Sequence, residues 1–182
     1  MAKIAGWSMF DGFRLARALG ATIDTRKPHT PEELIAAAEQ AARLKPNAWV
    51  LFYVLGDKYQ EVGRYADAIG AGKRCVELRP KDIRSAYALA TAYCMLTRAE
   101  WDGSPEHEQM LRDMGDPIPP SVATRELAKT GLSTLEAARQ ALNWFERAQQ
   151  LGPDRHSREQ INLDAQALYD RYPQLLPKNA GS

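Results

Sequence analysis

Two cysteines in 182 residues are too few for a disulfide framework, and Cys75 and Cys94 stand in no zinc-binding spacing. Each falls instead in an apolar helical rhythm, which reads as a small core residue in a reducing compartment. Charge of one sign is also missing. Lys and Arg total 24 against 23 Asp and Glu, a formal net charge of +1, and no basic run exceeds a pair such as Arg26-Lys27. Binding nucleic acid requires several phosphates to be neutralised, so no nucleic-acid partner is expected. No Ser, Cys or Thr lies in a nucleophile motif, and no glycine-rich loop would cradle a phosphate. The histidines, His29, His107 and His156, are far apart. The nearest approach to a metal or acid–base cluster is Asp102, Glu106, His107 and Glu108. Adjacent residues on a helix point in different directions, so this run reads as an acidic first turn that complements the helix dipole. No metal, no cofactor and no enzymatic activity are expected.

Long uncharged apolar runs are absent too. The N-terminal "MAKIAGWSMFDGFRLARALGATI" is aromatic and apolar, but Asp11, Arg14 and Arg17 interrupt it. It is too charged for a membrane span and lacks a signal-peptide core. A cytoplasmic location is expected, with any membrane contact indirect or through residues 1–20. Residues 1–29 read as an aromatic segment and linker. Its Trp7, Phe10 and Phe13 either pack over the end of the domain or form a docking segment for a partner.

What the chain does contain is helix. Its 45% hydrophobic and 26% charged content is that of an ordinary soluble protein. Its length permits burial of about 70% of the unfolded surface. Thr30, Pro31 and Glu33 form an N-terminal capping signature, and Leu34, Ala38 and Ala41 line one face of the helix that Pro46 stops. Asn47 is placed to cap the next helix, which carries Phe52, Leu55, Tyr59 and Val62. Gly63 suits a left-handed turn. A further helix runs from about Tyr65 to Leu78, Pro80 ends it, and Asp82 is placed to cap "IRSAYALATAYCML".

These helices repeat. Phe52, Leu55, Gly56 and Tyr59 recur as Ala86, Leu89, Ala90 and Tyr93, 34 residues later (86 − 52). Leu34, Ala38, Ala41 and Pro46 recur as Ala68, Gly72, Cys75 and Pro80 at the same offset. In these positions the chain resembles the tetratricopeptide repeat family, whose unit is a helix–turn–helix of about 34 residues. Leu55, Gly56, Tyr59, Ala68 and Pro80 match the family's pattern, and Phe52 stands for its usual Trp. Gly72 departs where the family prefers an aromatic, and Cys75 replaces a small Ala. Gly56 and Ala68 are small where paired helices approach closely, while Leu55 and Tyr59 fill the groove between them.

After Tyr93 the rhythm is interrupted. Ala141, Phe145, Ala148 and Pro153 resume it 73 residues after Ala68, Gly72, Cys75 and Pro80 (141 − 68), so an insertion at about 97–132 splits a unit. Ser104-Pro105 opens a short helix to about Met114, "GDPIPPS" is a stiff connection, and Ser121 to Lys129 reads as another short helix. Ser133 and Glu136 form a capping box at the resumption. "DRHSREQINLDAQALYDRY" reads as a closing helix with Ile161, Ala165, Leu168 and Tyr172 inward. The expected fold is all-α: a short right-handed solenoid of helical hairpins over residues 30–172, with a helical insertion, a capping C-terminal helix and a loose tail at 173–182.

The resemblance implies a concave groove lined by the first helix of each unit. That places Val50, Tyr53, Asp57 and Gln60 beside Arg84, Tyr87, Thr91 and Met95, a mixed lining suited to a peptide. Some relatives grip terminal carboxylates with Lys and Asn, but Tyr53, Asp57 and Ala88 occupy those places here, so that mode is not expected. The expected function is a non-enzymatic scaffold or adaptor that binds another protein or peptide through this groove. The alternative is a structural or assembly subunit of a larger, membrane-linked complex, docking through the N-terminal segment and the insertion.

Overall fold

The computed structural model describes residues 17–20, 28–99 and 122–177, and within them all regular structure is helical, with no strand. In chain order these are α1 (Pro31–Leu44), α2 (Trp49–Glu61), α3 (Tyr65–Leu78), α4 (Ile83–Leu96), α5 (Val122–Thr130), α6 (Thr134–Gln150), α7 (Arg155–Arg171) and a 3-10 turn (Pro173–Leu175). The bounds of α3 lie 34 residues after those of α1 at both ends (65 − 31 and 78 − 44), and α4 begins 34 after α2 (83 − 49).

Local chemistry sets several of these boundaries. The Thr30 hydroxyl accepts from the Glu33 N–H at 3.2 Å, and the Glu33 carboxylate accepts from the Thr30 N–H at 3.0 Å. Ser133 and Glu136 make the same reciprocal pair at the start of α6. Gly63 turns α2 into α3 with φ of 75°, a conformation that costs a side-chain-bearing residue about 1 kcal/mol. Two expected caps behave differently. Ala48, not Asn47, occupies the N-cap of α2, and the Asn47 carbonyl instead accepts from Arg74 at 3.3 Å. Asp82 does sit at the N-cap of α4 but makes no side-chain bond to its backbone. Its carboxylate is taken by the Ser85 hydroxyl at 2.9 Å and by Arg84.

Each helix packs on the next from α1 to α4, α6 then packs on α4, and α7 on α6; α2 also touches α4. The core is rich in alanine, so the helices approach closely. Ala38, Ala90, Ala137, Ala138, Ala141 and Ala148 are wholly buried. Leu51, Leu89, Leu96 and Phe145 fill the remaining space, each worth about 2–5 kcal/mol against truncation to Ala. The departure at Gly72 has a steric reason. A Cβ there would lie 3.1 Å from Leu89 Cδ1 and 3.3 Å from its Cα, so α4 already fills the space that an aromatic would take. Gly56 is less constrained than expected, since a Cβ there would meet only ordinary contacts, 3.8 Å from the Ala68 carbonyl and 4.0 Å from Ala71 Cβ.

Of the insertion, residues 100–121 lie outside the described residues, and with them the Ser104–Met114 helix and "GDPIPPS". The helix expected from Ser121 is observed as α5, which packs on α3 and α4. Ile161, Leu168 and Tyr172 are buried in α7 and after it, with Ala165 half-buried. The tail expected to be loose from residue 173 first makes the 3-10 turn, and Leu175 packs on the core. Trp7, Phe10 and Phe13 lie outside the described residues. The end of their segment is seated: Ala18 and Leu19 are 7% and 2% exposed, and Lys45 Nζ donates to the Arg17 and Ala18 carbonyls, each at 2.9 Å.

Candidate partner-binding face

Successive first helices α2 and α4 touch, so the eight residues expected to line the groove fall on neighbouring elements. Their fates differ. Val50, Tyr87 and Thr91 are 4%, 7% and 6% exposed and belong to the core, which corrects their expected place on an open groove. Tyr87 is covered from later in the chain. Its ring tilts against Phe145 of α6 at 5.7 Å, and its hydroxyl donates to Asp164 of α7 at 2.6 Å. Thr91 turns its hydroxyl to the Ala88 carbonyl of its own helix at 2.9 Å.

Tyr53, Asp57, Gln60, Arg84 and Met95 stay half-buried. Four turns of chemistry meet around Tyr53. Trp49, one helical turn earlier, presents its ring edge-on at 6.3 Å and 68°. The Arg84 guanidinium lies 5.4 Å from the Trp49 centroid and 6.0 Å from that of Tyr53. Burial, followed by the nearby Asp57 charge, pushes the Tyr53 phenol up to about 12. It is therefore a neutral donor at physiological pH. Asp57 pairs with Lys58 at 3.3 Å, and Gln60 donates to the Gly56 carbonyl at 3.2 Å.

Sequence reasoning passed over Trp49 and Arg79. Trp49 was legible, because residues four apart share a helix face and Trp49 stands four before Tyr53. Arg79 was not. It lies in the α3–α4 turn, and its guanidinium reaches 5.0 Å from the Trp49 centroid only because α3 packs on α2. Arg74 approaches Phe52 similarly, at 5.9 Å.

The cysteines are thiols in the packing. Cys75 is 1% exposed, with Sγ 3.0 Å from the Ser85 hydroxyl, and Cys94 is half-buried. Burial pushes both thiols up to about 11, which leaves little thiolate at neutral pH. Among the described residues no group of three or more His, Cys, Asp or Glu could hold a metal; Asp102, Glu106, His107 and Glu108 lie outside them. His29 approaches Glu33 at 3.5 Å, and His156 is exposed in the first turn of α7. A shallow cavity of about 290 Å³ lies between residues 18–20 and the end of α1. Its one cation, Lys45, is engaged by carbonyls. Among the described residues no helix is long and apolar enough to cross a membrane. Comparison of the chain with protein-family models, with curated proteins and with solved structures found no match.

Proposed function

We propose that this chain is a non-enzymatic, tetratricopeptide-type repeat scaffold that binds another protein or a peptide. The binding face is the part of α2 and α4 that packing leaves accessible. The 34-residue spacing shared by the helix bounds supports the repeat reading. The observation that carries the binding reading is the half-buried group of Trp49, Tyr53 and Arg84. Aromatic residues and Arg are the side chains that most often anchor an interface. They are held here by one another, so little freedom is lost when a partner covers them.

The test is Tyr53→Ala. Truncating an anchor of this type weakens binding by about 2 kcal/mol or more, roughly thirtyfold, against partners captured by the wild-type chain. Tyr87→Ala is unsuitable, because Tyr87 is a core residue and its loss would act through folding. A partner retained by Tyr53→Ala but lost when residues 1–16 are removed would place the contact in the N-terminal segment. That deletion stops short of the buried Ala18 and Leu19.

A further inference from the structure

Trp49 gathers two guanidinium groups, Arg79 at 5.0 Å and Arg84 at 5.4 Å from its ring centroid. The two charges thus lie within about 10 Å of each other, near enough to repel at physiological ionic strength. Asp82 offsets one of them, with Oδ1 3.3 Å from Arg84 Nε, and its other oxygen accepts from Ser85 at 2.9 Å. Arg79 and Lys81 are exposed, and among the described residues neither is paired with a carboxylate. One carboxylate therefore serves three cations at the α3–α4 turn. A guanidinium near an aromatic ring is partly ordered, while its N–H edge remains able to take a carboxylate in bidentate fashion.

We infer that this end of the α2/α4 face receives an acidic segment of the partner, its carboxylates on Arg79, Lys81 and Arg84 and an apolar side chain against Trp49 and Tyr53. The inference rests on the proposed binding face and names the chemistry of what binds there. Three cations neutralise too few phosphates to hold a nucleic acid at physiological salt, whereas a few carboxylates beside an apolar anchor match the patch in sign and size.

The probes are three fluorescein-labelled peptides of equal length and identical Leu and Phe content, whose polar positions are all Glu, all Gln or all Lys. Anisotropy is followed with the full chain at low and at physiological salt. The Glu peptide is expected to bind about tenfold tighter than the Gln peptide, a difference of about 1.4 kcal/mol, and to lose much of that advantage as salt rises. The double variant Arg79→Gln, Lys81→Gln, shown by circular dichroism to be folded, is expected to bind the two equally. A Glu preference that survives the double variant overturns the inference, as does a preference for the Lys peptide. Displacement of the Glu peptide by a single-stranded oligonucleotide overturns it in favour of nucleic acid. Equal binding of the Glu and Gln peptides, weakened by Tyr53→Ala, overturns the acidic segment but leaves the face. No binding of any peptide overturns both.

Discussion

Tyr87 donates its phenolic hydrogen bond to Asp164 at 2.6 Å, across 77 residues of chain. The bond fastens α7 over α4, and Phe145 of α6 completes the contact from the side. Tyr87→Phe keeps the ring but removes the donor, and Asp164 retains Gln160 as a partner at 3.1 Å. The expected cost is about 1 kcal/mol, read as a lower urea midpoint with unchanged slope. A midpoint equal to wild type would show that the bond contributes nothing net.

Alkaline pH is expected to destabilise the fold. The Cys75 and Cys94 thiols are raised from 9.0 to about 11 and the Tyr53 phenol from 10.0 to about 12, each chiefly by burial. Tyr59 and Tyr87 are raised as well, by burial and then by their bonds to Glu39 and Asp164. Every folded value lies above its unfolded one, so the stabilisation is complete below the unfolded values and is lost as pH climbs toward the folded ones. The denaturation midpoint should fall steadily above about pH 9, and less steeply in Tyr87→Phe. A midpoint that held level through this range would refute the linkage.

Gly56→Ala and Gly72→Ala should have opposite signs. At Gly56 the methyl meets only ordinary contacts, so the helix propensity of Ala raises stability by up to about 1 kcal/mol. At Gly72 it meets Leu89 at 3.1–3.3 Å, including the Cα. Overpacking of that kind costs about 1–3 kcal/mol and outweighs the propensity gain. Thermal melts of the two variants decide the matter.

Gly63 combines two constraints. Its φ is 75°, and a Cβ would fall 2.7 Å from Val122 Cγ1 at the start of α5. Gly63→Ala should therefore destabilise by more than the roughly 1 kcal/mol of backbone strain alone. Adding Val122→Ala should return the steric part and leave the strain, as a double-mutant cycle would show.

Glu126 caps a helix that is not its own. The N-cap of α3, Arg64, offers no side-chain bond, and the buried Glu126 carboxylate of α5 accepts from the Ala66 N–H at 2.9 Å while also holding Lys129. Glu126→Ala should cost about 1–2 kcal/mol, the range of a lost N-cap. It should also speed hydrogen exchange at the first turn of α3 more than in α1, whose Thr30 cap is intact.

Much of the scaffold was legible because it depends on neighbours in sequence. The boxes at Thr30–Glu33 and Ser133–Glu136 and the left-handed Gly63 are each settled within a few residues, and the 34-residue rhythm returns in the helix bounds. Asn47 was misread because an Asn before a helix suits a cap by local preference, whereas Arg74, 27 residues away, competes for it. Arg79 was passed over for the same reason.

Tyr53 and Tyr87 mark the division. They hold the same place in successive units, 34 residues apart (87 − 53), and every local rule treats them alike. By itself the sequence determined that each would sit on a first helix beside its neighbour's face. Which one stays accessible was decided only by tertiary structure. After the insertion the chain brings Phe145 and Asp164 onto Tyr87, while Tyr53 keeps Trp49 and Arg84 at its side. Burial is a property of what else arrives in space, and no spacing within one helix records that.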